Sequence, residues 1–270
     1  METASLSLTP LRYLITDMDG VLWRGREPLP GLVEFFQFLR RQGIQFVCAT
    51  NNASTLPEKL AERLQGWGTD VKPEEIVTSS IATADYLAAN FPAGARVYVV
   101  GMEGLRVPLL QRGFEIAEDR VAAVVAGIDW HLTYDEIKRA ALNIRAGAAF
   151  IGTNGDRTFP SSEGIIPGAG AILAAIETGT GVKPIVMGKP EAYLYVAAMN
   201  RMHAVPEQTL VLGDRLETDI LGAARLKLKS ALVLSGVTTR EQLTVSDYQP
   251  DGVYEDITDL RQHWELDGAP

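Results

Sequence analysis

Cysteine, histidine and long apolar runs are scarce in this sequence of 270 residues. Cys48 is the only cysteine, so no disulfide can form within the chain, and we expect it to pack as a small apolar residue. His131, His203 and His263 lie far apart and lack the spacing of a zinc site. No apolar run approaches the roughly 20 residues of a membrane-spanning helix, and the first residues lack a signal-peptide pattern. We therefore expect a cytoplasmic protein with no membrane partner.

Positive charge is also in deficit, since 25 Lys and Arg residues face 34 Asp and Glu residues and give a formal net charge of -9. Such a protein repels a polyphosphate backbone, so we expect no nucleic-acid partner. A small anion can still bind where backbone amides, a lysine or a metal ion reverse the charge locally. Neither a complete dinucleotide fingerprint nor a P-loop motif occurs. The hydrophobic share of 46% is enough for a folded core.

Short apolar stretches alternate with helical patterns near both ends of the chain. Tyr13–Thr16 and Gln45–Ala49 are typical of buried strands, and Leu32–Gln42 between them has amphipathic helical spacing. The same alternation returns later, with predicted strands at 185–187, 209–212 and 230–234 and predicted helices at 191–202 and 217–226. Strand-helix-strand units form parallel sheets with right-handed crossovers, so we expect all these strands in one sheet.

Residues 81–182 have an alternation of their own, in which Thr133–Glu136 has the pattern of a capping box at a helix start. This block is long enough to bury a separate core. The sequence therefore predicts an α/β protein with two domains. One is a parallel-sheet domain made of residues 1–80 and 183–270, and the other is a second α/β domain, 81–182, inserted into it.

Two carboxylates follow the first predicted strand directly, in Asp17-Met18-Asp19-Gly20. Open α/β sheets present ligand-binding residues at the ends of their strands. Two adjacent buried carboxylates ionise together only when a cation offsets their charge, and otherwise one keeps its proton. An ionised Asp17 beside Mg²⁺ could attack phosphorus, while a protonated Asp19 could donate to a departing alcohol. The alternative is a solvated loop or an Asx turn.

Two further predicted strand ends carry residues suited to phosphate. Thr50, Asn51 and Asn52 offer a hydroxyl, two amides and backbone N–H groups, although the alternative is a polar strand-to-helix turn with Asn or Thr capping. Lys189 lies between an apolar strand and a helix and could offset the charge of phosphate and aspartate together. Its alternative is a solvated surface charge, which is the usual state of a loop lysine.

A fourth strand end carries Gly213-Asp214-Arg215, in which Asp214 is a candidate ligand for a hard cation such as Mg²⁺. Asp219, five residues further on, is a candidate carboxylate for orienting the groups around the metal, with helix capping as its alternative. Four separate strand ends thus carry residue types that phosphoryl transfer uses. Their combination favours a phosphate site more strongly than any one of them does.

These motifs resemble those of the haloacid dehalogenase superfamily of aspartate-nucleophile phosphatases, whose pattern is DxDG, then Thr or Ser, then Lys, then an acidic GD loop. The segments Thr50–Asn52, Gly152–Gly170 and Gly213–Asp219 are similar to those of its NagD-like, p-nitrophenyl phosphatase-type branch, class IIA. The resemblance covers nearly the whole chain. It implies a Rossmann-like core domain and an inserted α/β cap domain of the C2 type.

The resemblance also implies a role for each motif. Asp17 would form an aspartyl-phosphate, Asp19 would act as general acid and then base, and Mg²⁺ would be bound by Asp17, Asp214 and the backbone carbonyl of Asp19. Asp219 keeps its orienting role. The expected phosphate-binding residues are Thr50, Asn51, Asn52 and Lys189.

The expected reaction is the Mg²⁺-dependent hydrolysis of small phosphate monoesters. Asp19 favours phosphate esters over halides, because an alcohol needs a proton to leave. The rival functions are a phosphomutase and a sugar-phosphate-binding protein that has lost turnover. Asn154 and Asp156 are candidates for contacts with the leaving group, but such residues more often simply form a turn, and they are left outside the catalytic set. The sequence leaves the oligomeric state open, and a homo-oligomer is among the arrangements it allows.

Overall fold

The computed structural model describes residues 6–161 and 163–267. Its strands are, in chain order, β1 (Tyr13–Thr16), β2 (Trp23–Arg24), β3 (Glu27–Pro28), β4 (Gln45–Thr50), β5 (Ile76–Thr78), β6 (Arg96–Val100), β7 (Glu115–Ile116), β8 (Ala123–Ala126), β9 (Ala149–Gly152), β10 (Thr158–Ser161), β11 (Gly164–Pro167), β12 (Ile185–Val186), β13 (Thr209–Gly213), β14 (Lys229–Val233) and β15 (Gly252–Tyr254). Its α-helices are α1 (Leu32–Arg41), α2 (Pro57–Gly66), α3 (Ser79–Asn90), α4 (Glu103–Gln111), α5 (Tyr134–Arg145), α6 (Ala169–Thr180), α7 (Ala192–Met202), α8 (Leu221–Arg225), α9 (Arg240–Val245) and α10 (Ile257–Asp267).

The chain packs as two compact units. The first unit takes in the chain up to Thr50, residues 60–77, and the chain from Ala198 onward, and the second takes in residues 51–59 and 78–197. The second unit is therefore larger than the predicted inserted domain, and the predicted boundaries stay a prediction. Residues 1–5, Ser162 and residues 268–270, which fall within the predicted domains, lie outside the described residues.

The main sheet of the first unit has six strands in the order β15-β14-β13-β1-β4-β5. The pairs β14–β15, β13–β14, β1–β13 and β1–β4 are parallel. β1 has the predicted bounds, and its last residue, Thr16, lies opposite Leu212 of β13 and Cys48 of β4. Because parallel strands end at the same edge of a sheet, the residues that follow β1 and β13 emerge side by side.

The core of the first unit is rich in aromatic side chains from α1. Phe35, Phe36 and Phe38 are each at most 1% exposed, and the ring of Phe38 lies 5.9 Å from that of Trp264 in α10. Each buried aromatic or aliphatic side chain contributes about 1.5–3 kcal/mol of transfer free energy. The amphipathic spacing predicted for this helix is confirmed, and Gly43, at φ 65°, follows its end in the left-handed conformation.

The second unit contains a five-stranded sheet in the order β12-β9-β8-β6-β7, in which all pairs are parallel. Successive residues of β6 enter opposite cores, Val97 and Val99 on one face and Tyr98 and Val100 on the other. Both faces are covered, as the continuous apolar runs indicate. The capping box Thr133–Glu136 is confirmed at the start of α5.

One predicted strand joins a different sheet from the one expected. The segment 185–187 was predicted to complete the sheet of the first domain, but β12 pairs with β9, with Ile185 opposite Ile151. Met187 is buried in a core of the second unit. An apolar run predicts a buried strand but carries no information on which sheet edge will accept its hydrogen bonds, and here β9 supplies that edge.

The helix predicted at 217–226 begins as a π-helical turn, Leu216–Ile220, and continues as α8. The carbonyl of Arg215 accepts the N–H groups of both Asp219, at 3.0 Å, and Ile220, at 3.2 Å. Single π-turns of this kind occur often at functional sites. Within the described part of the chain, no helix is both long enough and apolar enough to cross a bilayer.

Candidate active site

Asp17 lies directly after β1, an interior strand of the first unit's sheet. Its N–H donates to the carbonyl of Leu212 at 2.8 Å, so the pairing of β1 with β13 extends to this residue. Its own carbonyl accepts the hydroxyl of Thr16 at 2.9 Å. The residue is half-buried. Its backbone is thus fixed by the sheet.

The loop after β1 makes one tight turn that carries Asp19. The carbonyl of Met18 accepts the N–H of Trp23 at 3.3 Å, and the N–H of Gly20 donates to the carbonyl of Trp23 at 2.7 Å. Gly20 has φ 83°, a left-handed conformation that glycine adopts without strain. Asp19 is exposed, and its Oδ1 accepts the indole N–H of Trp23 at 2.7 Å. This contact of Trp23 with Asp19 was not predicted from the sequence.

Asp214 follows β13 and is almost fully buried, with 1% of its surface exposed. Its Oδ2 accepts the N–H of Val237 at 2.7 Å. Val237 belongs to the segment after β14, residues 234–238, which we call the cradle segment. In the same segment, the hydroxyl of Ser235 donates to the carbonyl of Gly20 at 2.7 Å. This segment was not predicted as part of the site, although its position after a strand of the same sheet was a signal for it.

Asp219 lies in the π-helical turn and is also 1% exposed. Its Oδ2 accepts the N–H of Arg215 at 3.2 Å and the hydroxyl of Thr218 at 3.3 Å. A Cβ atom on Gly213 would overlap the side chain of Asp219, so only glycine fits at the end of β13. The Asp219 carboxylate is therefore fixed in orientation, and its predicted role toward a metal stays a prediction.

Asp17, Asp214 and Asp219 form one carboxylate cluster, in which each residue offers an oxygen and these oxygens lie within 4.8 Å of one another. Carboxylates this close repel one another unless a cation or bound protons offset their charge. Mg²⁺ is a hard cation that prefers oxygen ligands at about 2.1 Å and commonly uses one or two carboxylates. The donor set therefore fits Mg²⁺.

Two glycines make room for this cluster. A Cβ atom on Gly20 or on Gly236 would overlap Oδ2 of Asp214. The first glycine belongs to the loop after β1 and the second to the cradle segment, so Asp214 is enclosed by backbone from both. Glycine lets the backbone approach a carboxylate this closely. Any other residue at these positions would displace the backbone or the carboxylate.

In the second unit, the side-chain amide of Asn51 holds the loop that carries Lys189. Asn51 Oδ1 accepts the N–H of Lys189 at 2.7 Å, and Asn51 Nδ2 donates to the Lys189 carbonyl at 3.1 Å. Only 5% of the Lys189 surface is exposed, so the alternative of a solvated loop lysine does not apply. A Cβ atom on Gly188 would lie 2.5 Å from Asn51 Oδ1, which explains the glycine before this lysine.

The neighbouring residues of the Thr50–Asn52 segment have distinct surroundings. Thr50 ends β4 and is 5% exposed. Asn52 Oδ1 accepts the N–H groups of Ser54 at 2.8 Å and Thr55 at 3.0 Å, so it shapes the turn before α2, as in the alternative interpretation. Phosphate binding by the segment stays a prediction, and for Asn51 we expect it to use the backbone N–H.

Asn154 and Asp156 belong to the same hydrogen-bond network as Asn51. Asn154 Nδ2 donates to the Asn51 carbonyl at 2.8 Å, and Asn154 Oδ1 accepts the N–H of Asp156 at 3.1 Å. The carboxylate of Asp156 accepts Asn51 Nδ2 at 3.1 Å. These residues do form a turn, as predicted, but they also support Asn51. Their place just after β9 was the available signal for that second role.

Cys48 takes no part in this chemistry. Its side chain is fully buried in β4. Burial raises the pKa of the Cys48 thiol, and the nearby carboxylates of Glu75 and Asp17 raise it further. The thiol therefore stays neutral and is not a competing nucleophile.

Comparison with known proteins identifies the family. A family model described as haloacid dehalogenase-like hydrolase matches residues 14–115, and a HAD-hydrolase-like model matches residues 186–260. An acid sugar phosphatase of Staphylococcus aureus is 36% identical over 248 residues, which cover 92% of this chain and 95% of that relative. The chain belongs to the haloacid dehalogenase-like hydrolase family.

Solved structures place it within this family. NagD from E. coli K-12 has a TM-score of 0.87 and 34% identity, with 92% of this chain and 98% of NagD covered. A glycerol phosphate phosphatase from Mycobacterium tuberculosis, solved in complex with magnesium, has a TM-score of 0.89 and 34% identity, with 97% of this chain and 80% of that chain covered. The predicted NagD-like branch and α/β fold class are confirmed, and the protein is a phosphatase of this haloacid dehalogenase-like family.

Proposed function

We propose that this phosphatase hydrolyses phosphate monoesters of small molecules, with Mg²⁺ as cofactor and Asp17 as nucleophile. The observation that carries the proposal is the carboxylate cluster, whose three members offer oxygens within 4.8 Å of one another. Sugar and polyol phosphates are the proposed substrates, because similar proteins are named acid sugar phosphatase and glycerol phosphate phosphatase. The net charge of -9 disfavours nucleic acid as a substrate.

In the first proposed step, a carboxylate oxygen of Asp17 attacks phosphorus. A bond forms between that oxygen and the phosphoryl group, and the bond from phosphorus to the alcohol oxygen breaks. Asp19 gives its proton to the departing alcohol. The products are the free alcohol, an aspartyl-phosphate on Asp17 and an ionised Asp19.

In the second proposed step, water replaces Asp17 on phosphorus. Asp19 takes a proton from the water as its oxygen attacks, and the bond from phosphorus to Asp17 breaks. Inorganic phosphate leaves, Asp17 is ionised again and Asp19 is protonated again. This release of phosphate to water separates a phosphatase from a phosphomutase, which would return the group to a substrate.

Charge compensation is expected to supply most of the rate acceleration, because phosphoryl transfer has a loose transition state. When bound, Mg²⁺ would offset the repulsion between the carboxylates and the phosphate. We propose Asp17, Asp214 and the backbone carbonyl of Asp19 as its ligands, with Asp219 orienting them. The proposed phosphoryl-binding groups are Thr50, the backbone N–H of Asn51, Asn52 and the ammonium of Lys189.

The division into a Rossmann-like core, residues 1–80 and 183–270, and a cap, residues 81–182, is kept as part of this proposal. The second unit differs from the proposed cap by also including 51–59, 78–80 and 183–197. Cytoplasmic location, homo-oligomer formation and the absence of nucleic-acid partners stay predictions from the sequence.

The test of the proposed function is Asp17→Asn. We expect it to abolish phosphate release from p-nitrophenyl phosphate, because an amide oxygen cannot act as the nucleophile and is a weaker ligand for Mg²⁺. Inorganic phosphate and p-nitrophenolate are measured together, with and without Mg²⁺, and circular dichroism reports whether the fold is retained. Equal amounts of the two products from the wild-type protein exclude transfer to another substrate.

Asp251→Asn is the matched control. Asp251 is another carboxylate of the first unit, and it accepts the N–H of Ser230 at 2.9 Å and the ammonium of Lys229 at 2.8 Å, outside the carboxylate cluster. We expect this variant to keep wild-type turnover per folded molecule. Full activity of Asp17→Asn, or wild-type activity after chelation of all divalent ions, would contradict the proposal.

A further inference from the structure

Trp23 has a buried indole whose N–H group requires an acceptor. The side chain is 1% exposed. An indole N–H can donate but cannot accept, and a buried one is costly if it is left without a partner. The acceptor is Oδ1 of Asp19, at 2.7 Å. This distance is at the short end of the ordinary range for N–H···O hydrogen bonds.

The indole itself is held firmly. Trp23 lies in β2, which forms a short antiparallel hairpin with β3. The ring of Trp67 lies 5.7 Å from that of Trp23, and the guanidinium of Arg63 lies 5.1 Å from the Trp23 ring. Arg63 also donates to the carbonyl of Gly25 at 3.2 Å, at the turn of the hairpin. The tilted contact with Trp67 and the cation–π contact with Arg63 therefore restrict the rotation of the Trp23 ring.

Asp19 is exposed, whereas its hydrogen-bond partner Trp23 is buried. An exposed aspartate on a loop usually samples several rotamers, and fixing one of them costs conformational entropy. The carboxyl group must point at the leaving oxygen to transfer a proton within the transition state. A buried donor that fixes the carboxyl group before the substrate arrives would remove that cost.

We infer that Trp23 is a positioning residue that aims the carboxyl group of Asp19. Because the indole N–H only donates, Asp19 Oδ1 acts as its acceptor throughout the reaction. Oδ2 is then the oxygen that gives the proton to the alcohol and takes it from water. This inference rests on the proposed role of Asp19 in the reaction.

Trp23→Phe tests the inference, since it keeps an aromatic ring but removes the donor. The kcat/KM value reports only the steps up to departure of the leaving group. Alkyl phosphates such as glycerol phosphate need a proton for that departure, whereas p-nitrophenolate leaves without one. We expect the kcat/KM for glycerol phosphate to fall about tenfold more than that for p-nitrophenyl phosphate. A purely structural role would lower both values by the same factor.

Two further variants separate the possible failures. Trp264→Phe removes an indole from the same core, away from Asp19, and we expect the ratio of the two kcat/KM values to stay at the wild-type value. Asp19→Ala should change the ratio more strongly than Trp23→Phe. If Asp19→Ala lowers both values equally, the proposed role of Asp19 is wrong. If Asp19→Ala changes the ratio and folded Trp23→Phe does not, only the role of Trp23 is wrong.

A measurement without turnover tests the contact itself. The chain has four tryptophans, and each gives one indole ¹H–¹⁵N signal. In the Mg²⁺-free protein, we expect Asp19→Ala to shift one of these signals markedly, and that signal to be the one missing from Trp23→Phe. If Trp23→Phe does not fold, the Asp19→Ala spectrum alone tests whether an indole N–H contacts Asp19. Four unshifted indole signals in that spectrum would overturn the inference.

Discussion

At the scale of single residues, Asn51 connects two motifs that are far apart in the sequence. Its amide bonds both the N–H and the carbonyl of Lys189, at 2.7 and 3.1 Å, and also donates to Asp156. A side chain that satisfies both backbone groups of one residue fixes the position of that residue. The orientation of the buried lysine therefore depends on this amide.

We predict that Asn51→Ala lowers kcat/KM for p-nitrophenyl phosphate about tenfold, because the loop that carries Lys189 loses two hydrogen bonds. If the Asn51 side chain acts through Lys189, Asn51→Ala should lower kcat/KM only slightly in a protein that already carries Lys189→Ala. The measurement is a double-mutant cycle of Asn51→Ala and Lys189→Ala.

The control in this cycle is Asn143→Ala, which removes another buried asparagine of the second unit. Asn143 Nδ2 donates to the carbonyls of Glu118 and Arg139 at 3.0 and 3.1 Å, away from the Lys189 loop. We expect it to affect stability but not kcat/KM of the folded protein. Fully additive effects of the Asn51 and Lys189 variants would show that Asn51 does not act through the lysine.

The positions and contacts of some site residues could be predicted from the sequence, and those of others could not. Asp17 and Asp214 could be predicted to lie together, because each directly follows a strand of one parallel sheet. The contact of Trp23 with Asp19 could not be predicted, because it depends on the tight turn between them. Nor could the sequence decide between the alternatives for Lys189, since its burial follows from tertiary packing.

At the scale of structural elements, the cradle segment and the loop after β1 close around Asp214 from two sides. Gly236 is the tightest point, since a Cβ atom there would overlap the Asp214 carboxylate. Any larger residue must therefore displace either the segment or the carboxylate. Groups that orient metal ligands typically change metal affinity about 10- to 100-fold when they are altered.

We predict that Gly236→Ala raises the Mg²⁺ concentration needed for half-maximal activity by about tenfold. The physical reason is the displacement of Asp214 by the added methyl group. The measurement is a Mg²⁺ titration of p-nitrophenyl phosphate hydrolysis, with the thermal midpoint recorded for each variant.

Gly66→Ala is the matched control for this glycine. Gly66 ends α2, and a Cβ atom there would meet nothing within 4 Å. We expect an unchanged Mg²⁺ response and an equal or slightly higher thermal midpoint, because alanine favours helix over glycine. A Gly236→Ala protein with the Mg²⁺ response of the wild type would show that the cradle segment does not control Asp214.

Strands and helices were predicted well where the apolar residues form one clear pattern, either a continuous run, as in β1, or helical spacing, as in α1. They were predicted poorly where hydrogen bonds decide between alternatives of similar composition. β12 joins the second sheet because β9 offers it an edge. The π-helical turn at Leu216–Ile220 looks like an ordinary helix start in the sequence. A segment of 5 residues is too short for its apolar residues to show a period.

At the scale of the whole molecule, the first unit is assembled from distant parts of the chain. Asp267, in α10, accepts the N–H groups of Leu8 at 2.6 Å and Thr9 at 2.9 Å, and also the hydroxyl of Thr9 at 2.9 Å. The sequence predicts that early and late strands share one sheet, because their patterns alternate alike. It does not predict this contact, which depends on where α10 ends.

We predict that Asp267→Asn lowers the thermal midpoint at about pH 7 by about 2 °C, because a neutral amide accepts these hydrogen bonds less strongly than a carboxylate. The effect is small since Asp267 is exposed, and solvent screens its charge. Asp247→Asn, at another exposed aspartate of the same unit, should leave the midpoint unchanged.

The pH dependence of the difference in thermal midpoint between the wild type and Asp267→Asn tests whether the Asp267 carboxylate causes it. The hydrogen bonds from the N–H and hydroxyl of Thr9, and then from the N–H of Leu8, lower the pKa of Asp267 from its ordinary value of 3.8. A carboxyl group with a lowered pKa in the folded state stabilises the fold above its ordinary pKa, and this contribution disappears as the pH falls through the lowered value. The gap between the wild-type protein and Asp267→Asn should therefore be largest near neutral pH and shrink below about pH 4. Thermal unfolding of both proteins between about pH 3 and pH 7 measures it. A gap that widens on acidification would mean that the carboxylate is not what ties Leu8 and Thr9 to α10.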